Sequence, residues 1–210
     1  VTILLDLDGT LTDPSEGITR CIQHALRQLD EPVPEQQALL KYIGPPLQAS
    51  FTQMLGGEAR VAAAMAAYRE RFADVGLYEN VLYPRVREVL QTLIEQGERL
   101  ILATSKPHVY AQRIVEHFQL EPYLEALYGS ELDGTRTDKR ELLGYLLEQQ
   151  RLDGAECTMV GDRKHDAIGA RANGVAAVGV LWGFGSREEL TSAGVASLLR
   201  SPDDLLGLAG

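Results

Sequence analysis

The chain has 210 residues, with 20 Lys and Arg against 30 Asp and Glu, a formal net charge of −10, and 45% hydrophobic residues. That length holds one α/β core, or a core carrying a smaller inserted domain, and the acidic balance argues against an extended footprint on a nucleic-acid backbone. No apolar run approaches the ~20 residues that cross a bilayer, and the opening apolar stretch is too short and lacks the basic flank of a secretion signal. A cytoplasmic protein that binds neither membrane nor nucleic acid is therefore expected, as a monomer or homodimer. Cys21 and Cys157 form neither a metal spacing nor a disulfide framework and read as packing residues.

The first apolar run, residues 3–7, predicts a strand that gives way at Asp6-Leu7-Asp8-Gly9-Thr10 to a glycine turn. Side chains two apart on a strand share a face, so Asp6 and Asp8 are expected to point together while Leu7 enters the core. Residues 14–80 carry no strand signal. Ile18, Cys21, Ile22, Ala25, Leu26 and Leu29 fall at helical spacing, a proline-rich turn follows at 31–34, and 58–75 contains the helix-favouring run Val-Ala-Ala-Ala-Met-Ala-Ala-Tyr. This stretch reads as a helical insertion.

Beyond it, strand-like runs recur at 100–104, 126–129, 158–161 and 177–181 with helical segments between most of them, among them a helix over 138–150. Pro107 sits near a helix start, Ser186-Arg187-Glu188-Glu189 has the capping-box pattern with Gly194 suited to end the helix, and Ser201-Pro202-Asp203-Asp204 marks another N-terminus. The alternation predicts a Rossmann-like, doubly wound parallel sheet core formed by 1–13 and 81–210, with 14–80 as an inserted helical cap.

In such a sheet, ligands gather at the carboxyl ends of the strands. The polar residues there are Asp6 and Asp8 after the first run, Thr104-Ser105-Lys106 after the second, Lys139 after the third, and Asp162 with Asp166 after the fourth. Two carboxylates at close range disfavour joint ionisation unless a cation neutralises them or one holds a proton. Carboxylates, a hydroxyl, an ammonium and a helix N-terminus on one edge suit a divalent cation together with a phosphate. Taken singly, Thr104 also reads as a strand end, Lys139 as a solvated charge and Asp166 as a helix cap.

Asp6-Leu7-Asp8-Gly9-Thr10, Thr104, Lys139 and Gly161-Asp162-Arg163-Lys164-His165-Asp166, in that order, resemble the motifs of the haloacid-dehalogenase-like hydrolase superfamily. Thr104-Ser105-Lys106-Pro107 and Leu132-Asp133-Gly134-Thr135 are most similar to its phosphoglycolate phosphatase or 5′-nucleotidase-like branch with a small helical cap. The resemblance implies a Mg²⁺-dependent phosphomonoester hydrolase acting on a small phosphorylated metabolite. It implies Asp6 as nucleophile and Asp8 as the acid that protonates the leaving group and returns as base. It further implies a metal site of Asp6, Asp8 through its main-chain carbonyl, Asp162 and Asp166, and phosphate contacts from Gly9, Thr104, Ser105 and Lys139.

Two alternatives stay open. A receiver-like phosphoacceptor domain gathers similar residues but lacks a large insertion, and a phosphosugar mutase differs only in what accepts the phosphoryl group. The leaving group is expected to meet the cap, where Gly44 and Pro45 in Tyr42-Ile43-Gly44-Pro45-Pro46-Leu47 form a rigid turn suited to selecting substrate. Arg163, Lys164 and His165 have no assigned role, and His24, His108 and His117 read as surface or packing residues. Gly183-Phe184-Gly185 follows a strand but lacks the third glycine of a dinucleotide turn, so no role is expected of it.

Overall fold

The computed structural model describes residues 1–209. The chain opens with β1 (Thr2–Leu5) and a two-residue β2 (Thr12–Asp13), followed by helices α1 (Ser15–Gln28), α2 (Gln36–Leu39), α3 (Leu47–Leu55) and α4 (Val61–Arg71). A π-helical turn, Phe72–Gly76, continues α4, and a two-residue β3 (Val81–Leu82) pairs with β2. Then come α5 (Val86–Glu95), β4 (Arg99–Pro107), α6 (His108–His117), β5 (Ala126–Ser130) and α7 (Lys139–Gln150). The chain closes with β6 (Cys157–Gly161), α8 (Lys164–Ala172), β7 (Ala176–Val180), α9 (Arg187–Ala193) and β8 (Ser197–Leu199).

The main sheet has strand order β5-β4-β1-β6-β7-β8, with parallel pairing throughout. Helical crossovers explain the geometry, since parallel neighbours need a long connection and the helices then cover the sheet. β1 is central: Leu4 registers with Ile101 of β4 and with Met159 of β6. Those three side chains, with Leu143 and Leu146 of α7 and Ala170 of α8, form one fully buried cluster. The expected Rossmann-like α/β core is therefore present. β8 is an addition, only partly buried and too short for a strand period to show in its Ser-Leu-Leu sequence.

The chain divides into two compact units, Asp13–Val81 and the remainder. The Asp13–Val81 unit is helical between its two ends. Ile18, Cys21, Ile22, Ala25 and Leu26 of α1 are all buried, as their spacing requires. Its aromatic residues pack together, Tyr68 edge-on to Phe51 at 6.2 Å and stacked on Phe72 at 5.3 Å. The π turn crosses α1 so closely that a Cβ on Gly17 would lie 2.0 Å from Gly76 O, and one on Gly76 2.3 Å from Cys21 Sγ. The helix expected over 58–75 thus stops being α-helical at Arg71, where the extra residue of the π turn brings Gly76 against Gly17. Among the described residues, no helix is long and apolar enough to cross a membrane.

Candidate active site

β1 ends at Leu5, so Asp6 and Asp8 lie in the turn beyond it and do not share a strand face as the apolar run suggested. Asp6 N–H still donates to Val160 O at 2.9 Å, extending the sheet ladder by one bond. Leu7 O then accepts from the N–H groups of Thr10, Leu11 and Thr12, which folds the chain back over a buried Leu7. The turn sends the two carboxylates to different partners. Asp6 Oδ1 lies 3.0 Å from Lys139 Nζ, whereas Asp8 Oδ2 lies 2.7 Å from Lys106 Nζ.

Lys139 is the first residue of α7, whose N-cap Asp138 accepts from Arg140 N–H. Its side chain is 3% exposed, and its ammonium also donates to Asp166 Oδ1 at 2.6 Å and to Ala103 O at 2.7 Å. Asp6 Oδ1 adds an ion pair without a hydrogen bond of its own. Burial lowers the pKa of Lys139, but the charges of Asp166 and Asp6 outweigh it and the ammonium is held above its ordinary value. Lys139 thus acts first as a counter-charge between two carboxylates.

Asp6, Asp162 and Asp166 each present an oxygen within 4.8 Å of the others, and all three are buried. Asp162, directly after β6, accepts from Phe184 N–H at 2.7 Å through Oδ2, while its buried Oδ1 has no hydrogen-bond partner. Burial raises the Asp162 carboxyl well above its usual range, and the charges of Asp166 and Asp6 add to this. Asp166 at the third position of α8 reaches back to the N-cap, accepting from Arg163 N–H at 3.1 Å. Burial lifts it to about 6 against the pull of Lys139. Asp8 is also raised by burial, with Lys106 opposing.

Four carboxylates, Asp6, Asp8, Asp162 and Asp166, face two ammonium groups, Lys106 and Lys139, leaving two negative charges in excess. The oxygen-only donor set, the unpartnered Asp162 Oδ1 and that charge fit a hard divalent cation.

The remaining expected residues divide. Thr104 is buried at the β4 bulge, and its Oγ1 accepts from Lys106 N–H at 3.3 Å, which leaves its hydroxyl proton to donate. Ser105 O accepts from Ser130 Oγ at 2.8 Å. Gly9 N–H donates to Thr12 O at 2.8 Å, so this amide closes the turn. Glycine is needed there for a different reason: φ is +80° and a Cβ would lie 2.1 Å from Asp162 Oδ2. Gly44 and Pro45 lie in the Asp13–Val81 unit, with Gly44 exposed. The Lys106 ion pair and the Phe184 amide had no signal at the level of motif spacing, since both are long-range contacts made by the fold.

Comparison with known proteins places these observations in context. A family model described as haloacid dehalogenase-like hydrolase matches residues 3–180. A 5′-nucleotidase of Pseudomonas aeruginosa is 51% identical over 189 residues, covering 90% of this chain and 86% of its own length. The tyrosine-protein kinase PtkA of Mycobacterium tuberculosis is 37% identical over 205 residues, covering 97% of this chain and 70% of its own. The crystal structure of a predicted phosphatase from Clostridium acetobutylicum superposes with a TM-score of 0.95 at 39% identity, covering 99% of this chain and 96% of that one.

Proposed function

The chain belongs to the haloacid dehalogenase-like hydrolases and is a phosphatase, and from that premise we propose that it hydrolyses small phosphomonoesters with Mg²⁺ through a phosphoryl group carried on Asp6. The observation that carries this reading is the division of labour at the β1 turn. Asp6 joins a cluster of carboxylates balanced by Lys139, while Asp8, two residues on, is held apart by Lys106. Two carboxylates in unlike environments suit a nucleophile and a proton carrier.

In the first step an Asp6 oxygen attacks phosphorus as the ester oxygen leaves, and Asp8 gives that oxygen its proton. In the second, Asp8 takes a proton from water as the water oxygen attacks phosphorus, which frees phosphate and restores the Asp6 carboxylate. A raised Asp8 carboxyl, set by burial, suits the acid half of this cycle. Asp6, Asp162, Asp166 and the Asp8 main-chain carbonyl would hold Mg²⁺, whose charge offsets that of the carboxylates and phosphoryl oxygens. Thr104 Oγ1 donates to a phosphoryl oxygen, and Lys139 keeps Asp6 and Asp166 from repelling an approaching dianion. Ser105 takes its place beside Thr104.

Residues 14–80 serve as the cap, and Gly44 and Pro45 belong to the loop that selects the leaving group. The 5′-nucleotidase relative supports a nucleoside 5′-monophosphate as the first substrate to assay. The kinase relative makes the acceptor worth measuring, because the same first step serves transfer to a hydroxyl in place of water. Phosphate release from nucleoside monophosphates, phosphoglycolate and p-nitrophenyl phosphate should stop in EDTA and return with Mg²⁺. Acid quench should trap label on wild-type protein but not on Asp6→Asn. Full turnover in the chelator would overturn the metal assignment, and label without released phosphate would favour a transferase.

A further inference from the structure

Gly183-Phe184-Gly185, for which the sequence suggested no role, joins β7 to α9 and is built directly against Asp162. Beyond the Phe184 amide bond to Oδ2, a Cβ on Gly183 would lie 2.4 Å from Asp162 Cβ, and one on Gly185 only 1.9 Å from Asp162 O. Neither position admits a side chain without displacing Asp162.

A few residues on, α9 begins with half of a capping box. Ser186 Oγ accepts from Glu189 N–H at 3.1 Å. In a complete box the Glu189 carboxylate would turn back to the N-cap amide; here it crosses to α8. Its Oε1 accepts from Arg163 Nε and from Lys164 N–H, each at 2.9 Å. Arg163 N–H in turn donates to Asp166 Oδ2. The segment therefore grips Asp162 at one end and the first turn of α8, which carries Asp166, at the other. Lys139 bridges Asp6 and Asp166, so the repulsion that is left falls on Asp162, which will splay from the other two unless its backbone is fixed.

We propose that residues 183–189 form a brace that sets the spacing of Asp162 and Asp166, with Glu189 as a positioning residue acting through Arg163 and Lys164. The inference rests on the reading that these carboxylates hold a divalent cation. Its test is Mn²⁺ binding to the full chain, followed by electron paramagnetic resonance, with thermal melting as a check on the fold. Glu189→Ala should weaken Mn²⁺ binding by roughly 10-fold, the low end of the effect of removing a ligand's direct hydrogen-bond partner, because Glu189 reaches Asp166 through Arg163. Glu189→Asp should recover part of the loss, and Glu189→Gln should fall between them because it still accepts from Lys164 N–H. The Mg²⁺ concentration for half-maximal activity should rise in parallel, with kcat recovering at saturating Mg²⁺.

Should Glu189→Ala not fold, Glu189→Gln and Gly185→Ala carry the test, the latter by pressing a methyl onto Asp162 O. Wild-type Mn²⁺ affinity in the folded variants overturns the brace alone. A wild-type chain that binds no Mn²⁺ overturns the cation reading and the brace with it.

Discussion

The sheet core and the 13–81 unit bury different kinds of residue. The core carries Asp6, Thr104, Lys139, Asp162, Arg163 and Asp166 below the surface at the carboxyl ends of its strands, with Lys139 in ion pairs with both Asp6 and Asp166. The helical unit buries Phe51, Tyr68, Phe72 and the small residues around Gly76, and its prominent charges, Arg20, Arg71 and Glu79, are partly or fully exposed. Buried charge is costly unless it is paired and used. A unit that tolerates it is the one expected to do chemistry, and a unit that packs aromatics against glycine is expected to contribute shape.

The sharpest way to break this division is at the β1 turn. Asp6→Asn should lower phosphate release by on the order of a thousandfold or more, as removal of a nucleophile does, and Asp8→Asn by roughly 10²–10⁴-fold. Turnover near wild type in either variant would mean that the chemistry lies elsewhere. Lys139→Met should damage activity and stability together. It leaves Asp6 and Asp166 without their shared ammonium, and breaking a buried pair costs about 3–5 kcal/mol. A denaturation midpoint unchanged from wild type would sink that claim.

The helical unit should respond in the opposite sense. Phe51→Ala removes a fully buried ring and should destabilise by about 3–5 kcal/mol, yet the folded fraction should hydrolyse p-nitrophenyl phosphate normally. A loss as deep as that of Asp6→Asn would erase the contrast between the units. Gly76→Ala, with its new methyl against Cys21 Sγ, should cost about 1–3 kcal/mol by overpacking.

The smallest effect is in Glu79, whose carboxyl is held below the ordinary range by hydrogen bonds from Arg71, against burial and with help from Arg20. A lowered folded pKa stabilises above the unfolded value and the contribution is lost as pH falls through the folded one. Glu79→Gln should therefore flatten the acid limb of the stability curve below roughly pH 4.3, by under about 1 kcal/mol. An identical acid limb in the variant would show that the ion pair is inert.

Much of the core was legible because parallel strands buried on both faces are continuous apolar runs, and the polar residue after each run marks the sheet's active edge. On that ground the sequence points to Asp6, Lys139, Asp162 and Asp166, and the fold brings their side chains together. The strand ends were harder to place, because Asp6 and Leu7 look like a strand continuation until the Leu7 carbonyl is seen to accept three amides. Lys106 on Asp8 and Phe184 on Asp162 were not legible: each contact joins residues far apart in sequence, and neither flanking stretch has a periodicity that changes when the contact forms. In the helical unit, spacing located the buried face of α1, but the π turn was invisible, being a change of one residue in hydrogen-bond register.

The central place of β1 governs how the protein comes into being. Its first residue pairs with residue 99 on one side and residue 157 on the other. At synthesis rates of about 5–20 residues per second, the strand made first waits on the order of ten seconds for its second neighbour. During that time Ile3, Leu4 and Leu5, all fully buried in the finished sheet, have at most one partner strand. A ribosome that stalls before Cys157 releases a chain with an open, apolar strand edge, the kind of template that recruits other chains.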